Sequence, residues 1–247
     1  KLITLLLVLT VINVFGQIPT TSETEKTNPS NEVLALSDKV TTKFIKQPIK
    51  EKLDDGAILI YDYDGSLFSY DLGSETIGWT VKATNPAAEM CANAITLHDG
   101  VVYVPFVNGE IYAVNNLTGD IFWKSRISNS TDQIILKNQV PVIDNGKLYI
   151  TAQNQNIYAL NIKDGSLIWK YKLDAINNDI PVLFFDNKVF TQSGSSFYSF
   201  EANTGKVLYQ KSFEEPMSGK PVTDGENVFI ANEKDVLFAL NPNTPDV

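Results

Sequence analysis

The chain has 247 residues, of which 43% are hydrophobic and 20% charged, so it can bury a sizeable core and is not wholly disordered. Its formal net charge is −9 at pH 7, and no segment concentrates lysine and arginine. These values argue against nucleic acid and anionic membrane surfaces as partners, because both require a basic face.

The first segment, residues 1–16, has the layout of a secretory signal peptide. A lysine is followed by an apolar run up to Val14, which is too short for a membrane span. Residues 17–38 are rich in Thr, Ser, Glu, Asn and Pro and lack aromatic residues, which predicts a flexible polar linker. Gln17 occupies the position where a lipid-attachment signal has cysteine. We therefore expect an exported protein, periplasmic or extracellular, without a lipid anchor and without a membrane span in the mature chain.

Beyond residue 38 the chain repeats one plan: a short apolar strand, a polar turn and a second strand with a large aromatic residue. The clearest copy is an eleven-residue frame, AVNNLTGDIFW, which starts at Ala113. The copies end at Trp79, Trp123, Trp169 and Tyr209, and a fifth starts at Ala239 and stops at Val247. The aromatic residues are 44, 46 and 40 positions apart. A period of about 40 to 45 residues with several short strands per unit is typical of β-propeller blades.

The turn residues within each unit predict four antiparallel strands. In the second unit, Asp99-Gly100 and Asn108-Gly109 supply the positive φ angles of two-residue hairpins, and no segment of the chain shows a sustained helical period. Predicted strands of this unit cover 92–97, 101–106, 111–114 and 121–124; the inner strands of the next two units are predicted at 139–143 and 180–184. The predicted fold is all-β, a β-propeller of four-stranded antiparallel blades at about 47–82, 91–127, 139–173, 180–213 and, incompletely, 220–247.

The fifth unit lacks its outer strand, and two explanations are open. Either the propeller domain, residues 39–247, is part of a larger, truncated propeller, or a strand at 39–45 completes the last blade and closes a five-bladed ring. Truncation is favoured, because the frame breaks off inside a matching motif.

The frame Ala-x-Asx-x-x-Thr-Gly-x-x-x-Trp resembles the tryptophan-docking repeat of pyrroloquinoline-quinone-type β-propellers, over residues 47–247. This family includes quinoprotein dehydrogenases and BamB-type subunits of the outer-membrane assembly machine. In such a frame Asn accepts backbone N–H bonds within the turn, Gly takes a positive φ and the aromatic ring packs on the adjacent blade. The residues predicted to dock blades in this way are Ala113, Asn115, Thr118, Gly119, Trp123, Ala159, Asn161, Gly165, Trp169, Thr204, Gly205, Tyr209 and Trp79.

No catalytic, cofactor-binding or metal-ligating residue is assigned from the sequence. The single cysteine, Cys91, is expected to be buried, and the cysteine pair that the resemblance implies for a quinoprotein enzyme is missing. His98 is the only histidine, which excludes a zinc site built on several histidines, and it is expected on a solvent-facing turn rather than in a catalytic role. The segment from Asp62 to Gly65 is interpreted as a hairpin turn rather than a calcium loop, because further oxygen ligands do not follow at regular offsets. Pyrroloquinoline quinone is therefore not expected as a cofactor.

The expected function is an exported scaffold, favoured as non-catalytic and monomeric, that binds protein partners through its loops or a propeller face. The resemblance to BamB-type subunits implies a role in outer-membrane protein assembly. Two alternatives stay open: a quinoprotein dehydrogenase whose site lies outside these residues, and a propeller that binds carbohydrate or a cell surface.

Overall fold

A computed structural model describes residues 56–62, 65–84, 93–127, 135–175 and 181–243. Within these ranges all regular structure is β-strand, with eighteen strands and no helix. The predicted signal peptide, the linker, the alternative closing strand at 39–45 and Cys91 lie outside the described residues. The all-β prediction is confirmed for the described part of the chain.

The strands form five antiparallel sheets, and in every sheet the strands are neighbours in sequence order. The first sheet contains β1 (Ala57–Asp62), β2 (Ser66–Asp71) and β3 (Thr76–Lys82). The second contains β4 (Thr96–His98), β5 (Val101–Pro105), β6 (Glu110–Asn115) and β7 (Ile121–Arg126), and the third contains β8 (Val142–Asp144), β9 (Lys147–Ala152), β10 (Asn156–Asn161) and β11 (Leu167–Lys172). The fourth contains β12 (Leu183–Phe185), β13 (Lys188–Ser193), β14 (Ser196–Glu201) and β15 (Val207–Ser212), and the fifth contains β16 (Met217–Thr223), β17 (Val228–Asn232) and β18 (Leu237–Leu240).

The core lies between successive sheets, where their faces pack on each other. One apolar cluster joins Leu67 and Val81 of the first sheet to Tyr112 and Val114 of the second, and similar clusters join each later pair of sheets. The inner strands β4, β8, β12 and β16 also lie next to one another in that order. Face-to-face packing of radially repeated small sheets is the architecture of a β-propeller, as predicted.

The outer strands of the three middle sheets each carry a β-bulge at the same frame position. Ala113 is opposite Trp123 while Val114 is opposite Ile121, so Phe122 is an extra residue in the ladder. Ile168 and Leu208 are the extra residues of the next two sheets. The bulge breaks the strict alternation of side chains. As a result Trp123 is only 8% exposed, whereas Phe122 beside it is 57% exposed.

The predicted starts of the three inner strands are wrong. The strands β4, β8 and β12 start at Thr96, Val142 and Leu183, later than the predicted 92, 139 and 180. The reason at Gln139 is that its backbone bonds to the segment before the neighbouring blade's inner strand: its N–H donates to Asn93 Oδ1 (2.9 Å) and its carbonyl accepts from Ala94 N–H (3.0 Å). The fifth sheet contains three described strands, as predicted for the incomplete fifth unit, and the first sheet contains three described strands, with residues 47–55 of its predicted blade outside the described ranges.

Candidate interaction surface

The docking turns of the first three sheets are organised by the side chain at frame position three. Asn115 Oδ1 accepts the backbone N–H groups of Leu117 (2.9 Å) and Thr118 (3.1 Å). Asp71 caps the turn of the first sheet in the same way, and Asn161 Oδ1 accepts the backbone N–H of Lys163 (3.0 Å) in the turn of the third sheet. An oxygen that accepts backbone N–H groups two and three residues ahead holds the chain in a tight turn. The turn therefore presents its carbonyl and glycine groups in one fixed geometry.

The tryptophan of each blade docks on the turn of the next blade. The indole Nε1 of Trp79, Trp123 and Trp169 donates to the carbonyl at frame position four, Asn116 (3.2 Å), Ile162 (2.8 Å) and Ala202 (2.9 Å). The glycine of the same turn lies under the ring: a Cβ on Gly119, Gly165 or Gly205 would stand 2.5–2.6 Å from ring carbons of the docked tryptophan. All three glycines have φ between +70° and +77°. Glycine is required here both by the backbone angle and by the ring.

The remaining predicted docking residues occupy supporting positions. Ala113 and Ala159 are fully buried opposite Trp123 and Trp169, where a small side chain leaves room for the indole. Thr118 Oγ1 donates to the Asp120 carboxylate (2.6 Å), and Thr204 Oγ1 donates to Glu201. Tyr209 is half-buried against the cluster between the fourth and fifth sheets and lies edge-on to Phe197, with ring centres 6.5 Å apart.

Two lysines that the sequence analysis did not select also link adjacent blades. Lys147 Nζ donates to Asn203 Oδ1 (2.8 Å), and Lys188 Nζ donates to Asn243 Oδ1 (2.9 Å). Both asparagines stand at frame position five of the next blade's turn. The shared spacing of Lys147 and Lys188 after their hairpin turns is the signal that would have identified them.

Ser199 occupies the frame position at which the second and third blades have alanine, and we expect its replacement by alanine to stabilise the protein. Its hydroxyl is buried, with the residue 3% exposed, and it makes no hydrogen bond among the described residues. We expect Ser199→Ala to raise the free energy of unfolding by about 1 kcal/mol, because the desolvation cost of the hydroxyl is removed. Urea denaturation measures the change. The matched control is Ser69→Ala at the same frame position. Ser69 Oγ accepts the backbone N–H of Trp79 (3.2 Å), so this variant should lose stability. Equal effects of the two substitutions would refute the explanation.

Glu110 is a buried carboxylate that connects the first two blades. It is 7% exposed, and its Oε2 accepts the Thr84 backbone N–H (2.8 Å) and the Tyr112 hydroxyl (2.9 Å). Burial alone would raise the pKa of Glu110, but these hydrogen bonds and one from Asn108 outweigh it, so the pKa lies below its ordinary value. Glu110 is therefore an ionised structural residue.

Removal of the Glu110 carboxylate should destabilise the protein in a pH-dependent manner. We expect Glu110→Ala to cost about 1.5–3 kcal/mol at pH 7, since a buried N–H and a hydroxyl lose their charged acceptor. A group with a lowered folded pKa stabilises fully above its unfolded pKa, about 4.3, and this stability is lost as pH falls through the folded value. Urea denaturation between pH 7 and pH 3 should show that the difference in the free energy of unfolding between wild type and Glu110→Gln becomes smaller as the pH falls. A difference that stays constant would contradict this role.

The corresponding cluster between the third and fourth blades places its acid on the connecting segment. Asp174 Oδ2 accepts Gln210 Nε2 (2.9 Å) and Ser196 Oγ (3.2 Å), while Asp174 N–H donates to the Tyr198 hydroxyl (3.2 Å). Burial, with a smaller contribution from Asp174, raises the pKa of Tyr198 to about 12. Both acids are thus engaged in joining blades.

The described residues bring no set of three or more His, Cys, Asp or Glu side chains together as metal ligands. His98 is the last residue of β4 rather than part of the turn, because the turn residues are Asp99 and Gly100; its Nε2 lies 3.4 Å from Asp99 Oδ2. Asp62 ends β1 at an exposed position and its carbonyl accepts the Gly65 N–H (3.0 Å); residues 63–64 are not described. Among the described residues no helix has the length and apolarity needed to cross a membrane.

The outer strands β3, β7, β11 and β15 form a surface of distinct chemistry, which we call the outer rim. Every charge on these strands is basic: they contain Lys82, Lys124, Arg126, Lys170, Lys172 and Lys211, and no Asp or Glu. Large apolar residues are exposed beside the docked aromatics, at Ile77, Ile121, Phe122, Leu167, Ile168 and Leu208. Apolar and basic groups side by side are suited to contact with another macromolecule.

The solved structures to which the chain is similar include proteins of different kinds. BamB from Moraxella catarrhalis matches with a TM-score of 0.65 at 17% identity, over 78% of this chain and 60% of that one. The quinohemoprotein alcohol dehydrogenase from Comamonas testosteroni matches with a TM-score of 0.58 at 13% identity, over 78% of this chain and 41% of that one. The computationally designed Ika8 protein matches with a TM-score of 0.58 at 11% identity, over 75% and 55%. At these identities the similarity establishes the fold alone.

The chain spans about three fifths of the matched BamB chain. No curated protein matches it. The family model described as outer membrane protein assembly factor BamB matches residues 34–178 and again 153–247, which together include all five sheets. Matches over most of the chain, together with the repeated docking turns, establish that it belongs to the family of outer membrane protein assembly factor BamB.

Proposed function

We propose that this chain forms part of an exported, non-catalytic β-propeller scaffold that binds protein partners during outer-membrane protein assembly. The observation that carries the proposal is that the large apolar residues of the outer strands fall into two groups, one buried between blades and one exposed to solvent. The repeated tryptophans are occupied in docking the next blade, whereas apolar side chains remain exposed on the outer rim. A rigid frame with an exposed mixed surface supports recognition rather than chemistry.

The assembly role is supported by family membership and by the similarity to BamB. It is tested in the envelope of the source organism by placing a photo-cross-linking amino acid at Phe122 on the rim. We expect cross-links to a component of outer-membrane protein assembly. The same label at Lys206, an exposed docking-turn residue, serves as the control. Absence of any protein cross-link from the rim, or equal cross-linking at both positions, would contradict the role.

The alternative of a quinone-dependent dehydrogenase is favoured only by the similarity to the quinohemoprotein fold. A planar quinone needs an open aromatic face and a coordinated cation, and the described residues do not fit it: the docked rings of Trp123 and Trp169 are covered by Gly165 and Gly205, and no metal-ligand group is formed. The proposal therefore includes no bound pyrroloquinoline quinone. Titration with this quinone and Ca²⁺, followed by a dye-linked alcohol oxidation assay, should show neither tight binding nor turnover. Turnover would overturn the scaffold function.

A further inference from the structure

The charge on the outer rim is opposite in sign to the net charge of the whole molecule. The whole chain has a net charge of −9, yet its four outer strands contain basic residues only. The concentration is greatest on β7 and β11, which have the same order of residues, two apolar, a tryptophan and then alternating basic positions (IFWKSR and LIWKYK). Lys124, Lys170 and Lys172 are exposed at these positions. This local sign is opposite to that of the whole protein, so the rim attracts acidic groups.

The same strands have backbone groups available for pairing. Both β7 and β11 are the last strands of their sheets, and no other described strand pairs with their outer sides. The bulge at Phe122 and Ile168 interrupts the edge, so the regular part that can accept another strand runs from the tryptophan to the basic end. An edge of this kind can add one short extended segment.

Basic residues and bulges on an edge are also a means of preventing self-association. Two copies of β7 or β11 paired edge to edge would bring their lysines close together, and like charges on paired strands are destabilising. An extended segment that carries carboxylates reverses the sign of that contact. The same side chains therefore exclude further copies of this chain and admit an acidic strand, which is how specificity is achieved by attraction and repulsion together.

We propose that the edges of β7 and β11 bind an extended acidic segment of a partner protein as an added strand. Its carboxylates lie opposite Lys124 on β7, or opposite Lys170 and Lys172 on β11, and an apolar residue contacts Phe122 or Ile168 at the bulge. A polypeptide fits better than a lipid surface, because a bilayer cannot satisfy the backbone groups of a strand edge. This inference rests on the proposed protein-binding function and names the chemistry of the partner.

The test uses the whole 247-residue chain and a short fluorescein-labelled peptide that alternates glutamate and valine. Fluorescence anisotropy should show saturable binding that weakens as salt is raised. Lys170→Glu combined with Lys172→Glu should weaken binding by about tenfold or more. The matched control, Lys163→Glu combined with Lys206→Glu, makes the same change of charge on exposed docking turns and should leave binding unchanged. Thermal unfolding of all variants verifies that they are folded.

Other results overturn the inference. They include no saturable binding of the acidic peptide, equal binding of a lysine-valine peptide, and equal loss in the control variant. Binding to phosphatidylglycerol vesicles without binding to the peptide would assign the rim to lipid instead. Cross-linking at Phe122 to an assembly component without peptide binding would leave the scaffold function intact and refute only the acidic strand. Turnover with the quinone would refute the scaffold function whatever the peptide does.

Discussion

Replacement of Trp123 by alanine is expected to lower the free energy of unfolding by about 3–5 kcal/mol, the usual cost of removing a buried large aromatic side chain. Trp123 packs in the cluster between the second and third sheets with Leu148 and Ile150, and its Nε1 donates to Ile162 O at 2.8 Å. The variant leaves a cavity between two blades and removes the hydrogen bond to the part-buried carbonyl of Ile162. Urea denaturation followed by circular dichroism measures the loss.

Phe122→Ala is the matched control for this prediction, since it removes a neighbouring aromatic ring from the same strand. Phe122 is 57% exposed at the bulge, so its removal should change stability by no more than about 0.5 kcal/mol. Trp123→Phe keeps an aromatic ring but loses the hydrogen bond to Ile162 and should cost about 1–2 kcal/mol. Similar losses at positions 122 and 123 would show that the aromatic residue does not join the blades.

Replacement of Gly165 by alanine should be the second most damaging change. Gly165 has φ of +71°, an angle that costs an L-residue about 1–2 kcal/mol. Its added Cβ would stand 2.5 Å from Cε3 of the docked Trp123, and overpacking of this kind costs a further 1–3 kcal/mol, approximately. Displacement of the indole should also expose it to solvent, so acrylamide should quench the tryptophan fluorescence of this variant more strongly than that of the wild type.

Gly146→Ala separates the two contributions, because Gly146 has the same φ of +71° and nothing within 4 Å of an added Cβ. It should lose only the backbone contribution and leave acrylamide quenching unchanged. A Gly165→Ala variant as stable as Gly146→Ala would mean that the turn yields to the side chain and that tight docking is not required.

The sequence by itself determined the repeat and its turns. The frame that ends at Trp79, Trp123, Trp169 and Tyr209, and hairpin pairs such as Asn145-Gly146, act over a few residues, so their geometry follows from local backbone preference. The all-β class, the repeated small sheets and the packing role of the aromatic residues could be predicted from these local signals. The start of β8 could not, because hydrogen bonds of Gln139 to the neighbouring blade, rather than local preference, hold the segment before that strand.

Only the tertiary structure decided which side chains face a neighbour and which face solvent. The strand IFWKSR offers three large apolar residues in a row, and alternation alone would place Ile121 and Trp123 on one face. The bulge, which depends on pairing with β6, buries the tryptophan and exposes the other two. Likewise the net charge of −9 conceals a rim with basic residues only, because the outer strands are far apart in sequence and come to equivalent edges only when the sheets pack. Composition is a sum over the chain, whereas a surface is selected by folding.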